Sequence, residues 1–157
     1  MSTILLDTNA IIMYGQSVRG RVERAVDQGR TLVLPQSVKH ELVDDVLDSS
    51  TAPENHRASA QTIQALVDEG YLIIRTPNFE QYSAVVDEAR RRIADENLPE
   101  HDVKADQYIP AIVCELAQTE TVYVATADRK LRTTIQDISL KEGVSDRVMV
   151  RNPLDVL

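Results

Sequence analysis

Aromatic residues are nearly missing from this chain: it has no Trp, one Phe and 4% aromatics among 157 residues. The core must therefore be filled by Val, Ile, Leu and Ala. No run of rings is available as a platform for stacking bases, so a sequence preference toward nucleic acid is unreadable. Cysteine occurs once, as Cys114, inside the apolar run Ile109–Leu116. It cannot close an internal disulfide, and no Cys/His spacing matches a zinc site. A lone Cys in such a run reads as a small core residue rather than a catalytic thiol. No apolar stretch approaches the roughly 20 residues that span a bilayer. The opening MSTILLDTNAIIMYG is interrupted by Asp7 and has neither a basic start nor a small-residue cleavage site, so it does not read as a signal peptide. The expectation is a cytoplasmic protein with no membrane association.

Lysine is also scarce, with four lysines against thirteen arginines. Acidic residues number 25 against 17 basic ones, giving a net charge of -8 and a pI near 4.8. Such a balance argues against a general nucleic-acid coat protein, which would be basic. It leaves a nuclease open, because carboxylates that hold cations add negative charge that the bound cation reverses locally. Few lysines and many aspartates would also suit a salt-adapted organism.

What is present is an ordinary globular composition, 43% hydrophobic and 27% charged, without repeats, low-complexity tracts or a linker. A single domain over residues 1–157 is expected. Short apolar runs alternate with longer helical patterns. Strands are predicted at Thr3–Leu6, Thr31–Leu34, Tyr71–Arg75, Thr121–Thr126 and Arg147–Val150. Helices are predicted at Val18–Gln28 (stopped by Gly29), Val38–Leu47 (capped by Ser37), Asn55–Glu69 (closed by Gly70), Phe79–Ala94, Ala105–Ala117 and Arg129–Gln136. The residues after Asp7 read as a loop. Pro110 should sit in the first turn of its helix or kink it. Strands separated by helices imply an α/β fold, a three-layer arrangement with a central parallel sheet of about five strands flanked by helices. Near-continuous apolar strands fit a sheet buried on both faces. Ligands in such folds bind beyond the carboxyl ends of the strands, at a switch in strand order.

Two strand ends carry an acid directly. Leu6 is followed by Asp7-Thr8-Asn9, and Thr126 by Ala127-Asp128. If those strands are neighbours, the two carboxylates lie within a few ångströms and repel. A Mg²⁺ or Mn²⁺ ion removes that penalty, since hard cations prefer oxygen ligands. Glu41 lies early in the helix after the second strand, and Asp106 near the start of Ala105–Ala117. Taken singly, each has a plain structural role: Asp7 or Asp128 as a turn or helix cap, Glu41 as an exposed helix residue, Asp106 as a helix-start acid facing the dipole. Their ordered combination is what points to a cation site that activates water and stabilises charge on a phosphate.

That order resembles the PIN-domain family, and within it the VapC-type toxins. Asp7-Thr8-Asn9 matches the family's opening D-T-N. Pro35-Gln36-Ser37-Val38-Lys39-His40-Glu41-Leu42 is similar to its segment with a Ser or Thr shortly before the second acid. Ala105-Asp106-Gln107-Tyr108-Ile109 resembles its A-D-x-x-I stretch, and Thr126-Ala127-Asp128-Arg129-Lys130-Leu131 its T-x-D-x-x-L stretch. The resemblance runs nearly end to end. It implies a five-stranded parallel sheet and metal-dependent endonucleolytic cleavage of single-stranded RNA. It implies Asp7, Glu41, Asp106 and Asp128 as catalytic metal ligands for Mg²⁺ or Mn²⁺. Thr8, Asn9, Ser37 and Thr126 would hold those carboxylates by hydrogen bonds. The chain departs from the pattern in a long segment from Ala52 to Asp102 and in Pro110, four positions after Asp106. Asp102, four residues before Asp106, is a rival or auxiliary ligand.

RNA also needs cations to meet its phosphates. Arg19, Arg21 and Arg24 follow the first acid, and Arg129, Lys130 and Arg132 follow the last; each set reads equally as an RNA grip or as a solvated face. The run Arg90–Arg92 reads as an ordinary helix C-terminus, and His40, His56 and His101 as surface residues. No phosphate-binding glycine motif is present. The leading expectation is therefore RNA hydrolysis, as the toxin of a toxin–antitoxin pair, held by a small antitoxin and forming a homodimer. An RNA-processing nuclease is the near alternative, and a catalytically silent RNA-binding or scaffold domain the alternative of another class. A receiver-like or phosphatase reading fits poorly, since Asp7 stands alone after its strand and Arg75 ends the third.

Overall fold

The computed structural model describes residues 2–94 and 105–157. In chain order it runs β1 (Ser2–Leu6), α1 (Thr8–Tyr14), α2 (Val18–Asp27), β2 (Thr31–Pro35), α3 (Gln36–Lys39), a π-turn (His40–Asp44) and α4 (Asp45–Asp48). It continues with α5 (Glu54–Asp68), β3 (Leu72–Arg75), α6 (Phe79–Ile93), α7 (Ile109–Ala117), β4 (Thr121–Ala125), α8 (Arg129–Lys141), β5 (Val148–Arg151) and α9 (Pro153–Val156).

The strands form one parallel sheet in the order β3-β2-β1-β4-β5. From β1 the chain steps outward to β2 and β3, then crosses back and steps the other way through β4 to β5. Right-handed crossovers accordingly place α2 and α5 on one face and α6, α7 and α8 on the other. The packing agrees: α2 lies on β2 and α5 on β3, whereas α6, α7 and α8 pack on one another and on β4 and β5. Covered on both faces, Ile4, Leu5 and Leu6 of β1 and Leu32, Val33 and Leu34 of β2 are buried. This is why those strands are unbroken apolar runs rather than alternating ones. The direction of strand stepping reverses between β1 and β4, so the crevice at the carboxyl edge opens between them.

Several expectations change in detail. The residues after Asp7 are helical, not a loop. With Asp7 as N-cap, Thr8–Tyr14 buries Ala10, Ile11 and Tyr14, and the outward Ile12 and Met13 hid that amphipathic spacing in the sequence. Ser37 is not a helix cap. The helix starts at Gln36 after Pro35, and the Ser37 hydroxyl instead donates to the Ala105 carbonyl at 2.9 Å. Ala105–Ala117 is not one helix. A turn at Gln107 and Tyr108 separates Asp106 from α7, and Pro110 falls in the first turn, where its missing N–H costs nothing. The helix after Asp128 continues past Gln136 to Lys141, where Gly143 at φ +74° ends it. Asp102 and His101 lie outside the described residues.

Candidate active site

Parallel pairing of β1 with β4 places Leu6 beside Ala125, so the residues that follow emerge side by side at the carboxyl edge. Asp7 is 2% exposed. One of its oxygens, Oδ1, accepts the Ala10 N–H at 2.7 Å and caps α1. Asp128 caps α8 in the same way, its Oδ1 accepting the Leu131 N–H at 2.9 Å. Between them stands Thr126, fully buried. Its hydroxyl hydrogen-bonds the Asp7 carboxylate and accepts the Asp128 N–H at 3.1 Å. One hydroxyl thus ties both acids. Capping and site-lining are not alternatives for these aspartates, because each cap engages a single carboxylate oxygen.

Burial pushes the Asp7 carboxyl up to about 6, and the negative charge of Asp128 adds to the rise. Hydrogen bonds from Thr126, Ala10 and Asn9 oppose it. Desolvation prevails because the carboxylate has almost no contact with water.

The crevice holds a pocket of about 210 Å³. Asp7, Asp128, Glu41 and Asp106 line it, so the structure brings to one place the acids singled out in the sequence. Thr8, Asn9, Ile93, Ala105 and Lys130 complete the wall. Glu41 enters from the π-turn, a widened helical turn of a kind that often re-aims a side chain at a functional site. Asp106 enters from the short helical stretch that ends at the turn before α7. Neighbouring contacts hold that turn: Ser37 donates to the Ala105 carbonyl, and Arg90 Nε donates to Gln107 Oε1 at 2.6 Å.

Hard oxygen donors of this kind fit a divalent cation such as Mg²⁺ or Mn²⁺. A further feature agrees with that fit: the Thr8 hydroxyl on the pocket wall is buried with no hydrogen-bond partner among the described residues. As the side chains stand, however, no three His, Cys, Asp or Glu groups among the described residues converge into a finished cation site.

The basic candidates divide. Lys130 lines the pocket. Arg129 is exposed at the start of α8 and Arg132 is half-buried, and neither forms part of the pocket wall. Arg19 is engaged elsewhere, pairing with Glu23 at 2.8 Å and Glu69 at 2.5 Å. Arg21 lies over the Tyr14 ring at 5.1 Å and donates to Ser17 and to the Leu157 carbonyl. Those two arginines brace the fold rather than border the pocket. The sequence reading also passed over Arg90 and Gln107. Their contact joins α6 to the Asp106 turn and leaves no local signal, whereas a run of three arginines at a helix end has an ordinary explanation in the dipole. Neither His40, which is exposed beside Asp44 and Asp45, nor the exposed His56 reaches the pocket wall.

The family model described as the halobacterial PIN domain matches residues 1–157. No curated protein matches the sequence. Among solved structures, the chain is similar to VapBC-1 from nontypeable Haemophilus influenzae, with 16% identity and a TM-score of 0.56 over 97% of this chain and 98% of that one. It is also similar to VapBC2 from Rickettsia felis, which was solved bound to a DNA fragment from its promoter. There the identity is 12% and the TM-score 0.53, over 96% and 98% of the two chains. At these identities the likeness is one of fold, and it reproduces the five-stranded parallel α/β architecture. With a family match along its whole length, the chain belongs to the halobacterial PIN-domain family.

Proposed function

We propose that this chain, as one PIN domain over residues 1–157, is a metal-dependent endoribonuclease that hydrolyses phosphodiester bonds in single-stranded RNA. The observation that carries the reading is the seam between β1 and β4. There Asp7 and Asp128 flank Thr126 and share one pocket with Glu41 and Asp106. Mg²⁺ or Mn²⁺, when bound, supplies a more acidic water and a counter-charge for the phosphate oxygens. Asp7, Asp106 and Asp128 are the ligands in this reading, and Glu41 completes the shell. Thr126 fixes the two strand-end acids, and Thr8 and Asn9 line the wall beside them. Ser37 acts on the backbone next to Asp106 instead of on a carboxylate. Lys130 meets a substrate phosphate at the pocket mouth, and Arg129 and Arg132 extend that positive surface along α8.

Within this activity, the toxin of a toxin–antitoxin pair is the first reading. A partner surface supports it: an apolar groove of about 550 Å³ between α1 and α5, lined by Ile11, Ile12, Leu42, Val46 and Ile63. Ile12 there is 62% exposed, a large apolar side chain of the sort a partner covers. A small antitoxin and homodimer formation belong to the same proposal. An RNA-processing nuclease remains the second reading, and presence of all four pocket acids argues against a silent scaffold. Among the described residues no helix is long and apolar enough to cross a membrane; a cytoplasmic location is part of the proposal.

Purified protein incubated with labelled single-stranded RNA should cleave it with Mn²⁺ and not with EDTA, and Asp7→Asn and Asp128→Asn should each abolish cleavage while folding. Full activity in both variants overturns the site. A short adjacent reading frame whose product suppresses cleavage would assign the toxin role; its absence favours RNA processing.

A further inference from the structure

Asp106 differs from the other pocket acids in how it is held. Asp7 follows directly from β1 and Asp128 comes three residues after the end of β4, whereas Asp106 sits between two residues that are each anchored by a distant element. On one side the Ala105 carbonyl accepts the Ser37 hydroxyl at 2.9 Å, tying the turn to α3. On the other, Gln107 is 5% exposed, and its Oε1 accepts Arg90 Nε–H at 2.6 Å, tying the turn to α6. A buried amide oxygen facing a guanidinium forms a charge-assisted hydrogen bond, stronger than a neutral one and costly to leave unmade. Arg90 lies one turn before Ile93, which itself lines the pocket, so the same end of α6 both walls the pocket and grips the turn.

We propose that Arg90 is a positioning residue for Asp106. Acting through Gln107, and together with Ser37 acting through Ala105, it clamps the turn so that the carboxylate meets the cation held by Asp7 and Asp128. Its effect on cation binding rests on the metal-site reading above; the clamp itself does not. The two can be separated with full-length protein.

Hydrogen–deuterium exchange of the backbone at 105–109 reads the clamp without metal. Arg90→Ala and Ser37→Ala should each speed exchange there and leave β1 and β4 unchanged; unaltered exchange in Arg90→Ala overturns the proposal. Calorimetric titration with Mn²⁺ reads the consequence. Arg90→Ala should weaken binding about tenfold, the usual loss when a residue orienting a ligand is removed. In an Asp106→Asn background the same change should have no effect, because the acid it positions has lost its charge. An equal loss in both backgrounds means that Arg90 acts elsewhere and overturns the assignment. Faster exchange in a protein whose wild type binds no Mn²⁺ upholds the clamp and sinks the metal reading alone.

Discussion

The two walls of the pocket are built by different means. The seam wall carries Asp7 and Asp128 at the ends of β1 and β4, where strand pairing, two helix caps and the Thr126 hydroxyl fix them together. The opposite wall carries Glu41 on a π-turn and Asp106 just before the turn at Gln107 and Tyr108, where side-chain contacts that span the fold hold the residues on either side of Asp106. Backbone pairing at the centre of a sheet is shared by many residues, and losing one side chain does not move it. A turn pinned by two hydrogen bonds moves when either is lost. The seam is therefore preorganised, and under the proposed metal-dependent reading the opposite wall is where a bound cation would draw the carboxylates in.

Breaking the seam should give the largest effect. Asp7→Asn and Asp128→Asn should each lower cleavage by about 10³-fold, or ~4 kcal/mol at 1.36 kcal/mol per tenfold. Glu41→Gln, on the adjustable wall, should lower it by only about 10- to 100-fold. Single-turnover cleavage rates at saturating Mn²⁺ make the comparison. A Glu41→Gln loss equal to that of Asp7→Asn would mean that the two walls contribute alike.

The next effect has the opposite sign. Asp7 holds its proton more tightly in the folded chain, at about 6 against an ordinary 3.8. At pH 8 its buried charge therefore withholds stability, on the order of 3 kcal/mol by linkage. That stability returns as pH falls through 6 toward 3.8. Asn keeps the cap and removes the charge. Asp7→Asn should thus melt higher than wild type at pH 8 without metal, with the gap closing by pH 4. Adding Mn²⁺ should raise the melting temperature of the wild type and not of the variant. A variant less stable than wild type at pH 8 would show that the carboxylate is not held at a cost.

Thr126→Val sharpens the same wall at smaller scale. It preserves shape and removes the hydroxyl between the two acids. Stability should fall by about 1–2 kcal/mol, because the Asp128 N–H loses its acceptor. The pH at which Asp7 titrates should move further up, since the bond from Thr126 is what chiefly opposes burial. Carboxyl carbon NMR of Asp7 follows that shift directly.

These contrasts also explain what the sequence made legible. The strand-end acids could be placed because an apolar run followed by Asp-Thr-Asn or Thr-x-Asp fixes both the element and its direction, and parallel pairing then does the rest. The sheet was readable for the same reason, each strand boundary falling within a residue or so of its place. Where tertiary contact decides, local pattern was silent. The helix after Asp7 is seven residues long, too short to be stable alone, and depends on its cap and on the sheet beneath it. Ser37 looked like a cap because it precedes a helical pattern. Its hydroxyl goes instead to Ala105, 68 residues away. The arginines after Asp7 and those after Asp128 looked alike as clusters and separated only once their partners were in place.

That last distinction gives the smallest effect, and it tests the basic side of the pocket. Lys130 lines the pocket, whereas Arg19 is paired with Glu23 and Glu69 and Arg21 braces the Leu157 carbonyl. Binding of single-stranded RNA to the inactive Asp7→Asn protein can be followed across a salt series. If Lys130 meets one phosphate, Lys130→Ala should flatten the slope of log affinity against log salt by about 0.7, the value for one contact on a single strand. Arg19→Ala should leave that slope unchanged and barely alter stability, because its ion pairs are exposed and screened by solvent. A flatter slope in Arg19→Ala and not in Lys130→Ala would move the RNA path from the start of α8 to the face of α2. The acids would then stand at the end of the track rather than beneath it.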